Sequence, residues 1–170
     1  MEINRTKITI IGLGNVGFHL AKVFVANGFT IHQVFSRSVN KAPDFVRAIK
    51  AKIITNISQL DYSSDIFIFC LKDEVLPDIL SQTSFTNQLL LHTAGSIDLN
   101  IFKGKSENYG VFYPLQTFSK SREIEFKSIP ICIEGSNSEA EKRIRNLAES
   151  ISNKVVNIDS IQRKYIHLAA

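Results

Sequence analysis

Long apolar runs are missing from this chain. No stretch of its 170 residues approaches the roughly 18 to 20 apolar residues of a membrane-spanning helix, so no span is expected. The start, Met1 to Lys7, is polar and leads straight into an apolar segment, which predicts no secretory signal. Cysteine is scarce. Cys70 and Cys132 each sit inside an apolar run, which predicts buried thiols, neither a disulfide nor a metal pair, and a reducing cytoplasm. No metal-ligand spacing occurs, no serine or cysteine stands in a nucleophile's setting, and there is no repeat, low-complexity stretch or flexible linker. Charge of one sign is not concentrated either. The net charge is +4 with scattered lysines and arginines, which suits an anionic cofactor and makes a poor nucleic-acid footprint. What is present, 44% hydrophobic and 21% charged residues, has the composition of a soluble globular domain. A single domain of this length buries about 70% of its unfolded surface.

The first thirty residues organise the rest. Lys7-Ile8-Thr9-Ile10-Ile11 is a β-branched apolar run that enters Gly12-Leu13-Gly14-Asn15-Val16-Gly17. Phe18, Leu20, Ala21, Val23, Phe24 and Val25 then recur at helical spacing until Asn27-Gly28. This is strand, glycine turn, helix. The first glycine permits the turn, the second lets backbone approach a pyrophosphate, and the third lets helix pack on strand. Helix N–H groups and the positive dipole end then face the phosphates. Placed after a strand and opening a helix, the pattern predicts a dinucleotide site formed by Gly12 to Gly17.

Further strands are expected at Thr30 to Phe35, Lys52 to Ile54, Asp65 to Cys70, Leu89 to His92, Asn108 to Phe112, Ile129 to Ile133 and Lys154 to Ile158. Helices are expected at about Pro43 to Lys50, Asp73 to Leu80 and Ser138 to Ser152, with a turn over Asn56 to Leu60 and a last helix from Ser160. Alternating strands and helices predict an α/β fold with a doubly wound, mainly parallel sheet of Rossmann type and the start of a C-terminal helix. Ligands bind beyond the carboxyl ends of such strands, so the segments after strands matter most.

An NAD site usually carries Asp or Glu about twenty residues past the glycines. Here Ser36 stands nineteen residues after Gly17, followed by Arg37 and Ser38, so no carboxylate repels a 2′-phosphate and a guanidinium can clamp it. NADP is therefore the expected cofactor, unless Arg37 is only a solvated loop residue. Leu71, Lys72, Asp73 and Glu74 follow another strand; Lys72-Asp73-Glu74 either simply begins a helix, with Asp73 and Glu74 complementing its dipole, or lines the cofactor ribose with its backbone. His92, Thr93, Ala94, Gly95 and Ser96, then Tyr113 to Phe118, should border the nicotinamide end. His92 and Tyr113 are the candidate catalytic residues. His92 can exchange protons near neutral pH, or it can bond the backbone of the next loop; Tyr113 can bond substrate, or merely shape the wall.

GLGNVG, SRS, FCLKDE, HTAGS and FYPLQTF, with the closing RKYIHLAA, together resemble a family of NADP-dependent oxidoreductases. Its members join a Rossmann-like N-terminal domain to a helical domain of unknown function. The family is similar to coenzyme F420-dependent NADP oxidoreductases, and related to pyrroline-5-carboxylate reductase and the 6-phosphogluconate dehydrogenase superfamily. The resemblance covers essentially the whole chain, and HTAGS with PLQTF is its specific part. It implies NADP binding and hydride transfer to or from a small substrate, without naming that substrate. Many members carry histidine where this chain has Tyr113, a departure that bears on any catalytic role there. The other functions weighed are a non-catalytic dinucleotide-sensing module and a methyltransferase. Both favour an acidic residue after the second strand, and Ser36-Arg37 argues against both.

The expected division is residues 1–158 as the NADP-binding domain and 159–170 as the start of a helix leading into a helical domain. That helix carries Ile161, Tyr165, Ile166, Leu168 and Ala169 and reaches Ala170 with no glycine or polar cap. A shortened chain, weakly active or inactive alone and forming a dimer or larger through this apolar face, is expected from that.

Overall fold

The computed structural model describes residues 6–38 and 43–169. Ala170, on which the expected apolar end falls, lies outside the described residues. Among the described residues, eight strands form one sheet: β1 (Lys7–Ile11), β2 (Thr30–Phe35), β3 (Lys52–Ile54), β4 (Ile66–Phe69), β5 (Leu89–His92), β6 (Tyr109–Pro114), β7 (Pro130–Gly135) and β8 (Lys154–Asn157). Their order is β3-β2-β1-β4-β5-β6-β7-β8. Every neighbouring pair is parallel except β6 with β7, where Tyr113 faces Cys132 in an antiparallel register. The chain moves outward from β1 in one direction through β2 and β3, then returns to place β4 on β1's other side. The crevice at that switch is where a doubly wound sheet binds ligands.

Side chains alternate across the strands and fill two cores. Ile66 and Ile68 of β4 and Leu89 and Leu91 of β5 face the core under α1 (Asn15–Ala26) and α4 (Ser138–Ile151), with Phe24, Ile144 and Leu147. Phe67, Phe69 and Leu90 face the other core, with Leu76, Leu80, Phe85 and Phe102. Burial on both faces is why β4 reads as an unbroken apolar run. The α4 helix is started by Asn137, whose side chain accepts from the Ala140 amide at 2.8 Å.

The sequence pattern places the elements well and some boundaries less well. The helix expected from Asp73 is α3 (Leu76–Ser81), because the chain first turns through residues 72–75. Pro77, in its first turn, gives up no helical hydrogen bond there. Strand β6 runs on to Pro114, so Tyr113 lies within the strand and not after it. The described residues also hold α2 (Pro43–Ala48) and α5 (Ser160–Ala169). Among the described residues, no helix is long and apolar enough to cross a membrane.

Candidate functional site

The glycine loop after β1 divides three tasks among three residues. Gly12 has φ +105°, a left-handed conformation that side chains resist, and a Cβ there would strike the Cys70 carbonyl. A Cβ on Gly17 would strike the Gly12 carbonyl, so only glycine lets α1 start this close to the turn. Gly14 differs: a Cβ there would meet nothing within 4 Å. Its backbone faces open space, the room a pyrophosphate needs. No side chain caps the start of α1 and no acidic residue occupies its first turn. Its first amides are thus left for an anionic ligand.

Two clefts meet at this loop. The first, about 260 Å³, is lined by Gly12, Leu13, Gly14, the Phe35 to Ser38 segment, Cys70, Leu71, Lys72 and Val75. Arg37 is exposed at its edge, and Ser36 is buried with its hydroxyl donating to the Ser38 carbonyl at 3.0 Å. Ser36 therefore shapes the loop, and Arg37 and Ser38 are left to meet a ligand. The Leu13 side chain is buried in the core. Burial pushes the Cys70 thiol up to about 12, against the opposing pull of the Thr93 hydroxyl, so it is an inert wall.

The second cleft, about 460 Å³, shares Gly14, Cys70, Leu71 and Lys72 with the first and extends past Asn15, Val16, Asp73, Thr93, Ala94 and Gly95 to Tyr113, Pro114, Gln116 and His167. The Ser96 hydroxyl donates to the Asp73 carboxylate and ties the loops after β4 and β5 together. The Thr93 amide donates to the Phe69 carbonyl at 3.2 Å.

His92 is not in this cleft. Alternation along β5 sends it to the same face as Leu90, where it is fully buried and packs on Phe102 with ring centroids 5.7 Å apart. Its Nδ1 accepts from the Ala94 amide at 3.2 Å. Burial, helped by the Arg163 charge and opposed weakly by Asp98, lowers its pKa to about 3. The catalytic role and the cofactor contact expected of His92 are therefore corrected: it is a neutral core residue that holds the following loop.

Residues of α5 that composition and spacing did not single out complete the cleft. Arg163 is fully buried; it pairs with Glu134 of β7 at 2.7 Å and donates to the Ile97 carbonyl and to the Ser160 hydroxyl. Ser160 in turn donates to Glu134 at 2.7 Å. One turn beyond Arg163, His167 Nδ1 lies 2.9 Å from the Tyr113 hydroxyl. Their four-residue spacing in RKYIHLAA puts both on one helix face, and that was the available signal. Burial raises the Tyr113 pKa above its ordinary value, Cys132 adds to this, and Arg163 opposes it.

The mainly parallel sheet, the open position at Gly14 and the clefts at the switch point define a dinucleotide-binding Rossmann domain of the oxidoreductase type. Residues 7–95, over half of the chain, match the coenzyme F420-dependent NADP oxidoreductase family, and residues 129–170 match a domain of unknown function, DUF2520. The chain belongs to that oxidoreductase family. It is 39% identical to BF3122 of Bacteroides fragilis, a provisionally assigned NADP oxidoreductase, over 99% of this chain and 66% of that one, with a TM-score of 0.89. A reductive aminase from Aspergillus terreus, solved with NADPH and ethyl-5-oxohexanoate, is 23% identical over 96% of this chain and 59% of its own, with a TM-score of 0.76. The 1-pyrroline-5-carboxylate reductase of Streptococcus pyogenes is 16% identical over 96% and 62%, with a TM-score of 0.74. These last two share the fold. The chain spans less than two thirds of each relative's length. No curated protein sequence matches it.

Proposed function

We propose that this chain binds NADP(H) across the two clefts and serves hydride transfer with a small substrate. The carrying observation is the end of β2: Ser36-Arg37-Ser38 lines the first cleft where NAD sites place a carboxylate. In this reading the Gly12–Gly17 turn and the uncapped α1 amides hold the pyrophosphate, and Arg37 clamps the 2′-phosphate. Leu71 and Lys72 border the middle of the cofactor, and Thr93, Ala94 and Gly95 border its nicotinamide end. The cofactor, when bound, supplies the hydride. The residues orient it and wall off water. That the reductive aminase was solved with NADPH agrees with this.

Fluorescence titration of both reduced cofactors tests the reading. A charge-assisted contact contributes about 1.5–3 kcal/mol, so NADPH should bind roughly ten- to a hundredfold more tightly than NADH. Arg37→Asp should erase or invert that preference. Equal affinities in the unaltered chain would sink it.

A further inference from the structure

We propose that Tyr113 and His167 form a two-residue proton relay serving a small carbonyl or imine substrate, a role that rests on the NADP(H) reading above. The Tyr113 hydroxyl and His167 Nδ1 are 2.9 Å apart and their rings meet edge to face with centroids 5.8 Å apart. Both line the cleft that holds Gly14 and Gly95. Three separate parts of the fold converge to make that contact. Gly95 is one, because a Cβ there would collide with the His167 ring, so the loop after β5 can lie under the imidazole only as glycine. Another is the buried Arg163–Glu134 pair, which anchors α5 one turn before His167. Strand β6 is the last, holding Tyr113 half-buried opposite Cys132. His167 is exposed, so its ring is open to water. His92, the other histidine beside this loop, is sealed in the core and can do none of this.

The chemistry follows from the contact. Reduction of C=O or C=N adds a hydride, with its electron pair, to carbon, and that hydride is what NADPH supplies. The π pair moves onto oxygen or nitrogen. That atom takes the Tyr113 hydroxyl proton, so one O–H bond breaks and one bond to the heteroatom forms. The tyrosinate recovers a proton from Nδ1 of the His167 imidazolium, and water recharges the ring. One hydride and one proton are added overall, giving an alcohol or amine. A tyrosine phenol is protonated at neutral pH, and burial moves the Tyr113 pKa further up.

The test uses the full chain and two variants, Tyr113→Phe and His167→Gln. NADPH affinity, read by fluorescence, should stay within about threefold in both. Isobutyramide, a stable carbonyl isostere, is then titrated into the NADPH-saturated protein and followed by amide NMR. Saturable shifts are expected at Gly95, Tyr113 and His167, with affinity at least about fivefold weaker in Tyr113→Phe. NADPH oxidation by a panel of small ketones, aldehydes and cyclic imines should fall about a hundredfold or more in each variant. Absent amide shifts, unchanged amide affinity in Tyr113→Phe, or turnover within threefold of the unaltered chain would overturn the relay while leaving the cofactor reading intact. Failure of the unaltered chain to bind NADPH would instead remove the reading beneath it.

Discussion

At the scale of single residues, the glycines separate binding from folding. Gly14→Val should abolish NADPH binding with little change in melting temperature, because a Cβ there meets nothing within 4 Å and the side chain enters the open cleft. Gly12→Ala should instead lower the melting temperature. It forces a side chain into a left-handed conformation against the Cys70 carbonyl, at about 1–3 kcal/mol before the collision is counted. Calorimetry and cofactor titration of the two variants check the contrast. His92 carries a pH signature. Its folded pKa of about 3 lies below the unfolded value of 6.5, so its contribution is present above 6.5 and is lost as pH falls toward 3. Stability should fall by up to about 1.4 kcal/mol per pH unit in that window. Urea melts of the wild type and His92→Asn between these limits should show the slope flattened in the variant. An equal slope in both would place the acid sensitivity elsewhere.

At the scale of elements, α5 is held by charge more than by apolar packing. Its buried members are Ser160 and Arg163, while Ile161, Tyr165 and Leu168 face solvent. Arg163→Ala strands Glu134 without its partner and should cost about 3–5 kcal/mol. The loss should be local: hydrogen exchange should speed up along α5 and leave β1 and β4 protected. Uniform acceleration would mean that α5 unfolds only with the whole domain. The same contrast shows what could be read from the sequence. Strand β1, its glycine turn and α1 were legible because hydrophobic period and glycine spacing are local signals. The face His92 takes on β5 is legible only by alternation: Leu90 and His92 share a face two residues apart, and that sends His92 inward. Arg163 and His167 act on Glu134 and Tyr113, 29 and 54 residues away, and no local period encodes such partners.

At the scale of the whole molecule, the exposed apolar stripe on α5 has a consequence for association. Ile161, Tyr165 and Leu168 are 68%, 71% and 83% exposed. We expect the 170-residue chain to self-associate through this face, as exposed apolar patches tend to. Sedimentation velocity should show a species heavier than the monomer that grows with concentration, and Leu168→Glu should reduce it. A monomer at all concentrations would remove the stripe from the account.

The lone antiparallel pairing in the sheet sets where α5 can go. In an all-parallel sheet, a helix leaving a strand begins at the ligand edge and runs away from it. Because β7 and β8 point against the other strands, α5 begins near Glu134 at the far edge and travels toward Tyr113. The helix is thus a measuring rod laid from Glu134 of β7 toward Tyr113 of β6, with a zero mark at Ser160 and a reading at His167. Each residue advances it about 1.5 Å and turns it about 100°. One residue inserted between Arg163 and His167 would swing the imidazole a quarter turn or more off the cleft, while a whole added turn would restore its bearing and overshoot its height.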